Sequence, residues 1–275
     1  MFDQELNKMK LKEAIESIKG NGVDRIYLDN KQIGDKGAQA IARALKKNSS
    51  LRELVLDHTQ IGATGAEAIA KVLEQNTSLS YLSLRSNQIG NSGAKAIAEA
   101  LTQNTTLKEL DLRDNKIRVM GAKALAQALS KNSSLRELCL YNNQIGDTGA
   151  KAFAKVLKKN LRYLALNSNQ IGDTGAEALA QALKKNTSLR YLALNSNQIG
   201  DTGAEAFAQA LEQNISLRKL WLGWNRIGCT GAVALVRALK KNTSLSLLFL
   251  DNYDLFEDSR ILGLKELING TKRSN

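Results

Sequence analysis

The chain has 275 residues, no proline, and a formal net charge of +12. That length allows one large domain or two small ones, and without a proline-, glycine- or serine-rich linker it reads as one continuous body. The opening "MFDQELNKMKLKEAIESIKG" has no apolar run of signal-peptide length, and no stretch approaches the roughly 20 apolar residues of a membrane span. Two cysteines, Cys139 and Cys229, without metal-type spacing suit free thiols in a reducing compartment, so a cytoplasmic protein is expected.

Residues 2–20 place Phe2, Leu6, Met9, Ile15 and Ile18 at roughly helical spacing, which predicts an N-terminal capping helix. From Val23 onward the chain repeats itself. Rows begin at Val23, Leu51, Leu79, Leu107, Leu135, Leu161, Leu189, Leu217 and Leu245, and "LRYLALNSNQIGDTGAEA" stands unchanged at 161–178 and 189–206. One step is short: Lys158–Asn160 runs directly into Leu161.

Within a row, "LRELVL" (51–56) alternates as a short strand, with Leu54 and Leu56 on its buried face. The asparagine that follows in most rows (Asn87, Asn115, Asn143, Asn169, Asn197, Asn225) stands where the chain leaves the strand, and its amide suits the backbone groups of the turn. A helix comes next. In residues 64–76, Ala66, Ile69, Ala70 and Leu73 form one apolar stripe. Thr64 with Glu67, Thr174 with Glu177 and Thr202 with Glu205 predict capping boxes, and Asn76, Asn104 and Asn186 predict left-handed C-caps. The last row breaks pattern at Tyr253, 259–270 predicts a final helix, and "TKRSN" a frayed tail. The expected organisation is a single domain over 1–275: a capping helix at 1–22, repeats at 23–255, and a C-terminal cap and tail at 256–275.

Neither the strand nor the helix of a row can bury its apolar face alone, so rows must stack. Strands about 4.8 Å apart, opposite wider helices, bend such a stack into an arc. The expected fold is α/β: a horseshoe solenoid of about nine rows of 28 residues, with a parallel concave sheet and convex helices. Over 23–255 the row pattern L-x-x-L-x-L-x-x-N-x-I-G-x-x-G-A-x-A-L-A resembles the leucine-rich repeats of the ribonuclease-inhibitor subclass. The same subclass forms the sensor regions of NOD-like receptors, the Ran GTPase-activating proteins and many bacterial effectors. "NQIGDTGAEALAQAL" is most similar to the NOD-like receptor and bacterial versions. Ribonuclease inhibitor often has cysteine where these rows have asparagine, so ribonuclease binding is not implied. The resemblance implies a non-enzymatic scaffold that binds a protein partner, cytoplasmic, or delivered into a host cell if it is an effector.

The chemistry-bearing residues fit that expectation. His58 is the sole histidine, Cys139 has no histidine on its own or a neighbouring row to activate it, and Cys229 falls in a turn. The acidic residues are scattered, so no metal or other cofactor and no small-molecule substrate is expected. The third, fifth and seventh positions of each row should face the cavity, with the eighth at its edge. Read in order, they give an acidic N-terminal zone, including Glu53, Asp57, Glu109, Asp111 and Glu137, and an aromatic C-terminal zone of Tyr141, Tyr163, Tyr191, Trp221, Trp224 and Phe249. The aromatics, with Glu109, Asp111 and Glu137, are the candidate partner-binding residues of a protein expected to be monomeric. Lys108, Arg136, Arg162, Arg190 and Arg218, with helix-end lysines such as Lys131, Lys158, Lys159, Lys184, Lys185, Lys240 and Lys241, form a basic rim. The rim supplies a second reading, binding to nucleic acid or anionic membrane, although lysines there also offset helix dipoles. GTPase activation of the Ran type is the third reading.

Overall fold

The computed structural model describes residues 10–157 and 160–250. The chain divides after Asn143 into two compact units. The first runs α1 (Leu11–Lys19), β1 (Arg25–Tyr27), α2 (Gly34–Leu45), β2 (Glu53–Val55), α3 (Ala63–Leu73), β3 (Tyr81–Ser83), α4 (Gly90–Leu101), β4 (Glu109–Asp111), α5 (Val119–Leu129) and β5 (Glu137–Cys139). The second runs α6 (Gly146–Val156), β6 (Tyr163–Ala165), α7 (Asp173–Leu183), β7 (Tyr191–Ala193), α8 (Asp201–Leu211), β8 (Lys219–Trp221), α9 (Cys229–Lys241) and β9 (Leu247–Phe249).

In each unit the strands pair parallel, in chain order, with equivalent row positions in register. The central strand residue is always buried: Ile26, Leu54, Leu82, Leu110 and Leu138 in the first unit, Leu164, Leu192, Leu220 and Leu248 in the second. The expected helical stripe of Ala66, Ile69, Ala70 and Leu73 is buried as well. Each fully buried Leu or Ile contributes about 1.5–3 kcal/mol, and only stacked rows can collect it. Of the expected capping helix, Leu11–Lys19 is helical and buries Ala14 and Ile18. Phe2, Leu6, Met9, Lys158, Lys159, Asp251, Tyr253 and the expected final helix at 259–270 lie outside the described residues.

The strand-exit asparagines form the expected ladder. Asn87 Nδ2 donates to the carbonyls of Leu56 (2.8 Å) and Leu84 (2.9 Å), while its Oδ1 accepts from the N–H groups of Thr59 (3.2 Å) and Ile61 (2.9 Å) one row back. Asn197 does the same between its own row and the one before. Each amide therefore satisfies buried backbone groups of two rows at once.

Two local expectations are corrected. Asn76, Asn104 and Asn186 are not left-handed caps, since none has a positive φ. They form a second ladder: Asn104 Nδ2 donates to the carbonyls of Leu73 (2.8 Å) and Asn76 (3.1 Å), and its Oδ1 accepts from the N–H groups of Thr106 (3.0 Å) and Leu107 (2.8 Å). A buried helix end next to another row finds partners there, which removes the need for a left-handed turn.

Nor do the Thr-x-x-Glu pairs cap their helices; the N-caps of α3, α7 and α8 are glycines without a side-chain cap bond. The cap comes from the preceding row. Asp35 Oδ1 accepts from the N–H groups of Gly62 (2.7 Å) and Gly65 (2.9 Å) at α3. Asp147, Asp173 and Asp201 serve α7, α8 and α9 in the same way, and Asn91 serves α5.

This cap also decides the glycine before each helix. Where the preceding row supplies the carboxylate, the glycine is extended, as at Gly62 (φ −93°) and Gly200 (φ −100°). Ala63 and Val119 cannot supply it, and in the following rows Gly90 (φ +59°) and Gly146 (φ +60°) turn left-handed and donate instead to the carbonyls of Asn115 and Asn169. The Asn91-capped row carries Arg118 in place of glycine, at φ −108°.

Candidate functional site

With positions four and six of every row committed to the core, positions three and five stand on the open face of each sheet. In the first unit that face is acidic and internally paired. Asp111 is only 4% exposed, and Arg113, two residues on and on the same face, grips its carboxylate through Nε (2.9 and 2.7 Å) and Nη2. Asp57 Oδ1 accepts from Ser83 Oγ (2.5 Å) and the Arg85 N–H (3.0 Å), and burial pushes its carboxyl above the usual carboxylate range. Tyr27 donates its hydroxyl to Glu53 (2.9 Å), which lies 3.7 Å from Arg25.

Glu109 and Glu137 are register partners. Burial, then the Glu137 and Glu53 charges, raise the Glu109 carboxyl above its ordinary value. Burial, with Asp111 adding to it, raises the Cys139 thiol to about 12, so it carries little thiolate at neutral pH. Tyr141, grouped by sequence with the aromatic zone, belongs to the first unit, where it is 37% exposed.

The second unit has a different face. Tyr163 and Tyr191, register partners on β6 and β7, stack with ring centroids 4.3 Å apart and 12° between planes. The series continues diagonally, because Lys219 and Leu247 hold the third position in the next rows and the ring moves to the fifth. Tyr191 lies 6.1 Å from Trp221, Trp221 lies 5.0 Å from Phe249, and Phe249 lies 5.6 Å from Trp224. Alanines at the fifth position make room: Ala165 and Ala193 are 3% and 1% exposed, covered although they stand on the open face. Five of the six expected aromatics thus form one ring ladder within a single unit.

Trp224 carries backbone strain. The eighth row position is left-handed at Asn30, His58, Ser86, Asp114, Asn142, Ser168, Ser196 and Trp224. Asn, Asp, His and Ser side chains are small and can bond locally, whereas for tryptophan φ +51° is an outlier costing about 1–2 kcal/mol. This strained indole is 54% exposed. The run of Asn, His, Ser and Asp at this position is the sequence signal of that left-handed turn.

At the rim, arginines are engaged with backbone. Arg190 Nη1 donates to the Ser216 carbonyl (2.7 Å), Arg218 Nη1 to Ser244 (2.9 Å) and Arg136 Nη1 to Ser133 (2.9 Å). Among the described residues no group of three or more His, Cys, Asp or Glu side chains could hold a metal ion, and no helix is long and apolar enough to cross a membrane.

The family model described as TMOD/LMOD Leucine-rich domain matches residues 7–122. The Leucine Rich repeat model matches 131–154, 158–180, 185–208 and 213–236. No curated protein matches the chain. Among solved structures, leiomodin-1 actin-binding site 2 is 26% identical with a TM-score of 0.45, covering 48% of this chain and 80% of its own. An internalin, InlF, of Listeria monocytogenes strain 4b F2365 is 18% identical with a TM-score of 0.49, covering 99% of this chain and 93% of its own.

Proposed function

We propose, from the premise that this chain belongs to the leucine-rich repeat proteins, that it is a non-enzymatic scaffold whose open sheet face binds a protein partner. One observation carries the reading: the ladder Tyr163–Tyr191–Trp221–Phe249–Trp224 on that face, ending in a strained, half-exposed tryptophan. Preformed aromatic surface loses little entropy on binding, and such residues dominate interface energetics at about 2 kcal/mol or more each. On the first unit, taken by itself, Glu109, Glu137 and Tyr141 are the candidate contacts of its own acidic face, where Asp111 is held by Arg113. Similarity of the rows to those of NOD-like receptors and bacterial effectors favours a cytoplasmic sensor or effector module as the setting.

The rival readings have less support. In the rim, Arg136, Arg190 and Arg218 each give one guanidinium N–H to a backbone carbonyl, and the helix-end lysines offset helix dipoles, so the rim is accounted for by structural roles. Ran-type GTPase activation would need one asparagine to stand apart from its ladder, yet Asn87, Asn143 and Asn197 repeat the same bonds.

The test is capture of partners by the immobilised wild-type chain and by a Tyr191→Ala/Trp221→Ala/Trp224→Ala variant, followed by affinity measurement on the recovered protein. Loss of about 100-fold or more is expected for the triple variant, and about tenfold for Trp224→Ala, whose exposed ring can be removed without opening the core. Equal affinity for wild type and Trp224→Ala, together with equal capture by the triple variant, would overturn the reading.

A further inference from the structure

We propose that the segment bound by the ring ladder is an extended, acidic peptide of the partner, with a carboxylate on Lys219 and an apolar side chain two residues away against Trp221, Trp224 and Phe249. The inference rests on the reading above and adds the chemistry of the ligand.

Charge is the first ground. On the first unit's open face the third, fifth and seventh positions include Glu53, Asp57, Glu109, Asp111 and Glu137. The same positions of the second unit hold Tyr163, Ala165, Asn167, Tyr191, Ala193, Asn195, Lys219, Trp221, Gly223, Leu247 and Phe249, with no carboxylate among the described residues; the remaining position, Asp251, lies outside them. Lys219 is exposed, and its register partners on either side are Tyr191 and Leu247. Its ammonium therefore stands on an apolar, aromatic background. An anion arriving there meets a charge that the protein's own described face does not neutralise, and it displaces little competing water from the rings.

Ring geometry is the second ground. Tyr163 and Tyr191 stack face to face, so each turns one ring face to the other and withdraws it from a ligand. Ring edges carry the positive part of the aromatic quadrupole and attract carboxylates. A ladder of exposed ring faces would instead favour cations or sugar rings.

Spacing is the third. Lys219 and Trp221 lie two apart on one strand, on the same face, at a separation of about 6.5–7 Å. An extended peptide repeats its side chains on one face over the same distance. An acid at one position and a large apolar residue two positions away therefore match Lys219 and the Trp221–Phe249–Trp224 group together.

A random nine-residue peptide library displayed on phage, selected against the full chain, tests this directly. The wild type is expected to enrich Asp or Glu two positions from an aromatic or large aliphatic residue. Lys219→Glu, at an exposed site and with its fold checked by circular dichroism, is expected to lose that acid and enrich Lys or Arg in its place. The best wild-type peptide, made synthetically, should bind Lys219→Glu about tenfold more weakly or worse, with affinity to wild type falling as salt rises. Apolar enrichment that depends on Trp224 but shows no acid preference, or the same acids on Lys219→Glu, overturns this inference and leaves the ring-ladder reading standing. Selection that ignores Trp224→Ala and Tyr191→Ala overturns both.

Discussion

Gly90→Ala should cost stability in the wild-type chain and very little once Ala63 is asparagine. Gly90 is left-handed at φ +59° because Ala63, in the row before, cannot accept a bond from its N–H. Arg118, at the same row position two elements later, avoids that conformation (φ −108°) because Asn91 Oδ1 accepts from its N–H at 2.9 Å and from Gly121 N–H at 2.9 Å. A Cβ on Gly90 would meet nothing within 4 Å, so the cost is conformational and not steric.

A left-handed L-residue costs about 1–2 kcal/mol. Reduced freedom of the unfolded chain returns about 0.4–1 kcal/mol, leaving a net loss near 1 kcal/mol. Ala63→Asn adds a cap worth about 1 kcal/mol, partly offset by loss of the bond from Gly90 N–H to the Asn115 carbonyl (2.9 Å). In the double variant residue 90 becomes extended and the strain vanishes. The two substitutions should therefore couple by about 1–2 kcal/mol, well above the roughly 0.3–0.5 kcal/mol within which independent sites add. Urea unfolding of the four proteins, followed by far-ultraviolet circular dichroism, measures that coupling. Additivity, or a neutral Gly90→Ala in the wild-type background, would refute the claim that the preceding row sets the glycine's conformation.

Three further outcomes follow from the ladders and the acidic face. Asn197→Ala should destabilise by about 2–6 kcal/mol, because the buried N–H groups of Asn169 and Ile171, now 2.9 and 3.0 Å from Oδ1, would each lose a partner worth about 1–3 kcal/mol. Asn197→Asp should also destabilise at neutral pH, since a carboxylate would face the Leu166 and Leu194 carbonyls that Nδ2 now serves; a near-neutral urea midpoint for either variant contradicts the ladder argument. Glu109 has a folded pKa above its unfolded one, so its contribution to stability is greatest below the unfolded value and is lost as pH rises through the folded value. Glu109→Gln should therefore be more stable than wild type near pH 7, with the gap closing toward about pH 4, the ordinary carboxylate range; melting temperatures of both proteins across that range check the sign, and a gap that widens on acidification refutes it.

The features legible in the sequence are those whose cause lies within one row. Alternation placed Leu54 and Leu56 inside, the 3.6-residue period placed Ala66, Ile69 and Leu73 on one stripe, and the fixed asparagine announced a ladder. The misread features have their cause in another row. Thr64 and Glu67 have the spacing of a capping box, but the group that caps α3 is Asp35, whose bonds span 27 and 30 residues. Asn76 resembles a C-cap when read locally, yet it ties its row to the carbonyl of Asn48. At the candidate site the aromatic zone and the pairing of Tyr163 with Tyr191 were legible, and the ring-to-ring contacts that carry the series on to Trp221, Phe249 and Trp224 were not. Whether rings lean together depends on what stands beside them, here Ala165 and Ala193, and on Tyr141 falling in the other unit.

This division between constant and variable positions bears on where specificity resides. The ladder asparagines and the capping aspartates are occupied by bonds to adjacent rows, so replacing one costs stability unless a neighbouring row compensates, as the left-handed Gly90 does opposite Ala63. The rows beginning at Leu161 and Leu189 are identical over eighteen positions from 161–178 and 189–206, so on the open face they offer the same chemistry twice: a tyrosine and an alanine. A repeated surface can supply affinity and register, but it cannot distinguish one step along a ligand from the next. Discrimination then falls to the row where the copy ends. That row replaces tyrosine with Lys219, alanine with Trp221 and serine with a strained Trp224. A change in that row should alter which ligand binds, whereas Tyr163→Ala or Tyr191→Ala should weaken all ligands alike.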